Sequence, residues 1–237
     1  MSPEGRPSVT FAIPCCDAGP FLRPLLESLL GQTRQDFRLL MVDDASTDGS
    51  VELAREVAGE RIEIHANDRR IGLARNWNRC AELVETPLFC IAHMDDVYEA
   101  TYLEAMVPRV EQRPRAAFVH CRARAIDARG EFVDAHSETY KQRFWAGLDD
   151  GDPTMVFRRL MRGNFIMCPT ALYRTEVWRT LGGVDPELRF AADWKLWFAA
   201  LLAGFDVVGE PSTLVRYRRH DRNATRDQIR SLRRYEE

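Results

Sequence analysis

The chain has 237 residues, 45% of them apolar and 29% charged, with a net charge of −3. Such a composition builds one large α/β domain or two small ones and excludes a disordered chain. The near-neutral balance excludes a global field that draws in nucleic acid, and no stretch approaches the roughly 18 apolar residues of a membrane span.

Residues 1–10, MSPEGRPSVT, carry no apolar core of a secretory signal. The six cysteines, Cys15, Cys16, Cys80, Cys90, Cys121 and Cys168, form no CxxC pair. A structural zinc site is therefore not expected, and the set reads as reduced thiols of a cytoplasmic protein. Peripheral association with the inner face of a membrane stays open.

In chain order, residues 8–13 (SVTFAI) predict a first strand that stops at Pro14. Phe21, Leu25, Leu26, Leu29 and Leu30 follow at helical spacing, and Gly31 ends the helix. Residues 37–42 predict a second strand, the polar run DDASTDGS a loop, and 51–58 a helix. A third strand over 61–65, a loop over 67–72 and a helix over 73–84 come next. Residues 88–92 are continuously apolar and predict a strand buried on both faces. Strands alternating with helices imply a mostly parallel, Rossmann-like sheet flanked by helices.

Two acidic pairs, Asp43-Asp44 and Asp95-Asp96, follow strands and so converge on the carboxyl edge of that sheet, where open α/β sheets bind ligands. Adjacent carboxylates repel unless hydrogen-bond donors or a cation compensate. A hard divalent ion that carries substrate phosphates, Mg²⁺ or Mn²⁺, is the natural compensation at His93-Met94-Asp95-Asp96. The first loop, PCCDAG, lacks a GxGxxG fingerprint, and no GxxxxGK[ST] occurs.

Beyond the second pair the pattern changes. A helix over 99–112 turns Leu103, Met106, Val107 and Val110 inward, and residues 116–126 predict a long strand that 131–133 can join across a turn. Residues 134–153, with His136, Tyr140, Phe144 and Trp145, read as a lid or binding loop. Helices are expected over 154–162, 175–181 and 191–203, an apolar segment that crosses the core over 165–173, and two last strands over 205–209 and 214–217. Neither a repeat nor a linker divides the chain, so a single domain is expected.

In order, these residues carry a known pattern: Pro14, then Gln32-Thr33, VDDASTDGS, Asn67 with Gly72-Leu73-Ala74-Arg75-Asn76, HMDD, Gly182-Gly183-Val184-Asp185 leading to Ala192-Asp193-Trp194, and Tyr217-Arg218-Arg219-His220. The chain resembles the family 2 glycosyltransferases, inverting enzymes of GT-A fold, over about residues 8–220. The resemblance implies one catalytic domain over 1–237: a nucleotide-sugar-binding half over about 8–98, an acceptor-binding half over 99–220 and a charged tail over 221–237. The donor is a nucleoside-diphosphate sugar, UDP-linked as first expectation. The acceptor is a hydroxyl-bearing glycan, a lipid-linked or a small molecule.

By the same resemblance Pro14, Asp17, Asp44 and Arg75 contact the nucleotide. Asp95 holds Mn²⁺ or Mg²⁺ with support from Asp96, and His220 approaches the metal or the diphosphate. His93 stands where the family usually has an aspartate. It is expected beside the metal or the diphosphate rather than as a ligand, as is Arg218. Asp193 is the expected general base, with Ala192 where the family often has glutamate. Trp145 and Trp194 are candidate acceptor contacts. Two other classes compete: a nucleotidyltransferase, against which the loop PCCDAG speaks, and a non-catalytic nucleotide- or glycan-binding module, which His93 favours.

Overall fold

The structure is a computed structural model that describes residues 7–134, 141, 143–145, 152–188 and 191–221. Most of the expected lid, with His136 and Tyr140, and the charged tail from residue 222 lie outside them. Four strands, β1 (Val9–Cys15), β2 (Phe37–Asp43), β3 (Ile62–Ala66) and β4 (Leu88–Ile91), alternate with α1 (Leu22–Leu30), α2 (Ser50–Ala58) and α3 (Leu73–Leu83). They pair in parallel in the order β3, β2, β1, β4. Side-chain alternation along these strands feeds two cores. Phe11, Ile13, Leu39, Met41 and Cys90 pack with α1 and α2, whereas Ala12, Leu40, Val42, Phe89 and Ile91 pack with α3. Every residue of β4 is buried, as its unbroken apolar run predicts.

Pro14 does not end β1, which runs on to Cys15 with Pro14 opposite Val42. The missing N–H costs nothing here. Ala12, two residues earlier and facing the same side, accepts from Ala92 N–H at 2.8 Å, where β4 has just ended. Pro14 therefore faces the space beyond that strand.

The second half supplies β5 (Val97–Tyr98), α4 (Tyr102–Glu111), β6 (Ala116–Ile126), α5 (Pro153–Leu160), β7 (Ala171–Arg174), α6 (Thr175–Leu181), α7 (Ala192–Leu202) and β8 (Asp206–Arg218). The expected core-crossing segment is β7, which lies antiparallel between β4 and β6. The two expected last strands are one, β8, parallel to β6. Its register shifts where Cys121 and Arg122 face Glu210 and Thr213, so the turn-like residues Pro211 and Ser212 are absorbed as a bulge. A second departure is β5, two residues that pair antiparallel with β8 and carry no strand signal of their own.

The eight strands form one sheet in the order β3-β2-β1-β4-β7-β6-β8-β5, with only β7 and β5 reversed. It curls strongly. Phe11 on β1 and Tyr98 on β5 have β4, β7, β6 and β8 between them, yet their rings meet at 5.6 Å. Strands β1, β2, β4, β6 and β8 all end at one edge, and β5 starts there. Both acidic loops lie on that edge, as the alternating pattern predicts. Among the described residues no helix is long and apolar enough to cross a membrane, and all six cysteines are free.

Candidate active site at the carboxyl edge

On the β1–β2 side, two loops lace into each other. Asp17 N–H donates to Ser46 Oγ at 2.9 Å, Ala18 N–H to Ser50 Oγ at 3.1 Å and Gly19 N–H to Asp48 Oδ2 at 2.8 Å. Asp17 adopts a left-handed backbone, φ 49°, rare for a residue with a side chain. Its carboxylate accepts from Thr47 N–H at 2.8 Å and pairs with Arg70. The Thr47 N–H, ahead of Arg70, holds that carboxyl below its usual range.

Asp44 is buried and its carboxylate is engaged by the protein itself. Oδ1 accepts from Asn67 Nδ2 at 2.7 Å and from Ile71 N–H at 2.8 Å, and Oδ2 accepts from Gly72 N–H at 2.9 Å. Asn67 also donates to Asn76 at 3.1 Å, and Asn76 donates to Val42 O at 2.9 Å. The pair therefore fixes the loop that leads into α3. Pro14 forms the wall of β1 at the same edge, and Arg75 stands exposed at the start of α3, bonded to Glu187 at 3.1 Å.

The second acidic loop is built differently. Asp96 is fully buried. Its Oδ1 accepts from Arg218 N–H at 2.8 Å, while Oδ2 finds no hydrogen bond among the described residues. The Arg218 guanidinium crosses under the loop and donates to Asp95 O at 2.8 Å and Asp127 O at 2.9 Å. His220 Nε2 lies 2.9 Å from Asp95 Oδ2. Phe21 packs on both partners, 4.5 Å from the His220 ring and 5.0 Å from the Arg218 guanidinium. His93 rests on Trp77 at 5.2 Å, and its Nε2 is buried without a partner among the described residues.

Burial, with Asp95 adding to it, drives the Asp96 pKa well above the carboxylate range. Burial lowers that of His93 against the pull of Asp95. One ligand atom each from His93, Asp95 and Asp96 lies within 4.8 Å of the others. Asp96 Oδ2 and His93 Nε2 are thus two buried polar atoms without a hydrogen bond among the described residues, beside an oxygen-rich pair whose chemistry is compatible with a divalent cation. The structure thus gathers Asp95, Asp96, His93, His220 and Arg218 at one place.

Asp193 is the second residue of α7, where the helix dipole favours an anion. It accepts from Trp194 N–H at 2.7 Å and Asn164 Nδ2 at 3.2 Å. Burial raises its pKa, and the Lys141 ammonium opposes that rise. A carboxylate moved up in this way is closer to the strength a general base needs near neutrality.

Trp145 departs from expectation. It is only 8% exposed, its ring 4.8 Å from His120 and 5.2 Å from the Arg122 guanidinium, so it is core rather than an open stacking platform. The apolar surroundings of Phe165 and Val156 explain why the ring turns inward. Trp194 is half-buried beside Phe198, and its indole N–H has no partner among the described residues. The sequence reading missed Asn164 and Lys141 beside Asp193, the stacking role of Phe21, and the Asn67–Asn76 pair under Asp44. Asn67 and Asn76 stood within the motifs, but a polar residue bound for burial looks no different in sequence from a solvated one.

Comparison with known proteins bears on the family and the fold. The PGL/p-HBAD biosynthesis glycosyltransferase of Mycobacterium bovis is 28% identical over 193 residues, covering 79% of this chain and 67% of that one. S. aureus TarS in complex with UDP-GlcNAc matches with a TM-score of 0.72 at 15% identity, over 92% of this chain and 60% of TarS. The mannosyltransferase PcManGT of Pyrobaculum calidifontis, solved with GDP-Man and Mn²⁺, matches with a TM-score of 0.75 at 18% identity, over 96% of this chain and 61% of its own. The chain thus spans roughly two thirds or less of each of these three proteins. The two structures place the fold in the GT-A group. The family model for glycosyl transferase family 2 matches residues 10–181, which include both acidic loops and stop short of Asp193 and His220. With nearly three quarters of its length matched, this chain belongs to glycosyl transferase family 2.

Proposed function

We propose that the chain transfers a sugar from a nucleoside-diphosphate sugar, UDP-linked as first choice, to an acceptor hydroxyl with inversion at the anomeric carbon. The observation that carries this reading is the buried acidic loop, whose Asp96 Oδ2 and His93 Nε2 lack partners among the described residues. Asp95, Asp96 and His220 would hold the cation, with His93 beside it. A divalent ion there supplies neutralisation of the charge that gathers on the departing diphosphate.

The protein's own groups do the rest. Asp17, Pro14 and the loop braced by Asp44 form the nucleotide wall, with Arg75 at its rim. Residues 8–98 form the donor half and residues 99–220 the acceptor half. Asp193 takes the proton of the acceptor hydroxyl as its oxygen bonds to the anomeric carbon and the bond to the diphosphate breaks. Arg218 keeps the acidic loop in place from below. The M. bovis relative supports a glycoconjugate acceptor, with the reaction on the cytoplasmic side and association with the membrane, if any, peripheral.

The test is Asp193→Asn assayed for transfer and for nucleotide binding. Loss of transfer by about 10²–10⁴-fold with UDP affinity kept is expected, since general-base catalysis is worth that much. An active variant would remove Asp193 from the role. Release of pyrophosphate from a nucleoside triphosphate would replace sugar transfer by nucleotidyl transfer, against which family membership weighs.

A further inference from the structure

The two oxygens of Asp193 are held unequally. Oδ1 accepts from Trp194 N–H at 2.7 Å and from Asn164 Nδ2 at 3.2 Å. Oδ2 accepts from no donor among the described residues, and it is not shut off from solvent. One oxygen is therefore pinned and the other is open.

Local structure explains why Asn164 stands there. Helices α5 and α7 pack together through Phe157 and Phe198, rings 5.2 Å apart. The end of α5 is tied off by Arg162 N–H on Arg159 O at 3.0 Å and Gly163 N–H on Leu160 O at 3.1 Å. On the other side of Asn164, Phe165 is buried and stacks on Phe144 at 5.7 Å. Asn164 is thus held from both sides, with its amide against the first turn of α7. The amide nitrogen donates to Asp193, while the amide oxygen is buried and meets no donor among the described residues. Turning the amide over would set that oxygen against the carboxylate. The side chain keeps its N–H on Asp193 and leaves its own acceptor unmet, and a buried polar group left so calls for a functional reason.

We propose that Asn164 is the positioning residue of the base: by holding Oδ1 it fixes the plane of the carboxylate, so that Oδ2 is the oxygen that takes the acceptor's proton. This rests on the reading of Asp193 as the base. In the step, the acceptor O–H bond breaks toward Oδ2 and the acceptor oxygen bonds to the anomeric carbon. The bond to the diphosphate breaks with its electron pair left on the diphosphate. The Asn164 N–H also favours the charged carboxylate, in the same sense as the Lys141 ammonium and against burial. The other groups that face Asp193 are the Cys168 thiol and the Tyr173 phenol, both pushed up by burial and so uncharged. Arg219 acts on Lys141 in turn.

The experiment has two arms on the full chain. In the first, carbon NMR of aspartate-labelled protein follows the titration of Asp193, assigned by its loss in Asp193→Asn. Asn164→Ala should move the Asp193 midpoint to higher pH, because a donor to the charged form is gone. In the second, UDP release from a panel of UDP-sugars with Mn²⁺ is followed across pH. Asn164→Ala should lower kcat by about ten- to a hundredfold, the effect of losing one hydrogen bond to a charged group. The acid limb of its rate profile should move to higher pH with the midpoint. Asn164→Asp, of the same size but without the N–H, should do no better than alanine. Mn²⁺-dependent affinity for UDP should not change in either variant, because Asn164 lies outside the donor half. An unmoved Asp193 midpoint, an unmoved acid limb, or a wild-type rate in Asn164→Asp would overturn the role of Asn164 alone. An active Asp193→Asn, or a wild-type chain that releases UDP from no UDP-sugar, would instead remove the reading on which that role rests.

Discussion

Asp43-Asp44 and Asp95-Asp96 are the same dipeptide at the same edge of the same sheet, and the protein treats them in opposite ways. Asp44 is buried and carries three donors, Asn67 Nδ2 and the N–H groups of Ile71 and Gly72. Asp96 is buried and half satisfied, with Arg218 N–H on one oxygen, while the other has no hydrogen bond among the described residues and His93 Nδ1 stands 4.0 Å away. Its neighbour Asp95 faces His220. A carboxylate that accepts three protein donors holds backbone in place. A carboxylate left short of donors stores electrostatic demand that a cation can meet. Burial alone does not separate the two roles; the donor count does.

The contrast can be broken most forcefully at Asp44. Asp44→Ala strands three donors, two of them main-chain, and should cost about 3–5 kcal/mol. That corresponds to a melting temperature roughly 10 °C lower, and Mn²⁺ should restore none of it. A melt within ~2 °C of wild type would deny the scaffold role. Asp95→Ala should do the reverse. Mn²⁺-dependent UDP affinity should fall by about ten- to a hundredfold, or ~1.4–2.8 kcal/mol, while the melt without metal moves little; unchanged affinity in calorimetry would move the site elsewhere.

Asp96→Asn sharpens the same contrast through pH. Its raised pKa means that Asp96 contributes stability below the usual carboxylate value, and that this contribution is lost as pH rises through the folded value. At neutral pH without metal the asparagine variant should therefore melt a few degrees higher than wild type, and the gain should vanish at a pH below the ordinary aspartate range. The variant should also lose most of the Mn²⁺-induced rise. A melt lower than wild type at neutral pH would mean that the second oxygen is satisfied after all. The smallest effect belongs to Arg75→Ala, whose exposed pair with Glu187 is worth about 0.5 kcal/mol or less. A change in the Michaelis constant for the donor, without a change in melt, is the outcome that marks Arg75 as a rim contact.

Much of this was legible in the chain. The apolar runs of β1, β2 and β4 are buried on both faces and read unambiguously, and with them the edge on which both acidic loops fall. What stayed hidden depends on partners distant in sequence. Val97 and Tyr98 become a strand only because β8 passes beside them. The residues 210–213, EPST, look like a break between strands, yet β6 carries them through as a bulge. Trp145 lies in a polar, aromatic stretch that reads as surface, and only the position of His120 and Phe165 turns it inward. Asp44 and Asp96 are indistinguishable as letters, because the donors that separate them come from Asn67, Ile71, Gly72 and Arg218.

The clasp of the acidic loop also sets an order in time. Asp96 is fastened by Arg218, 122 residues later, and Asp95 meets His220, 125 residues later. A ribosome that has delivered β1 through β4 has delivered the carboxylates and the strand beneath them, but none of their fastening. The entropy of closing so long a loop grows only slowly with its length, so the delay is one of sequence order rather than of energy. The clasp needs β8 in place along β6. The second acidic loop is thus completed by residues far along the chain, and a chain that lacks β8 and His220 lacks its clasp.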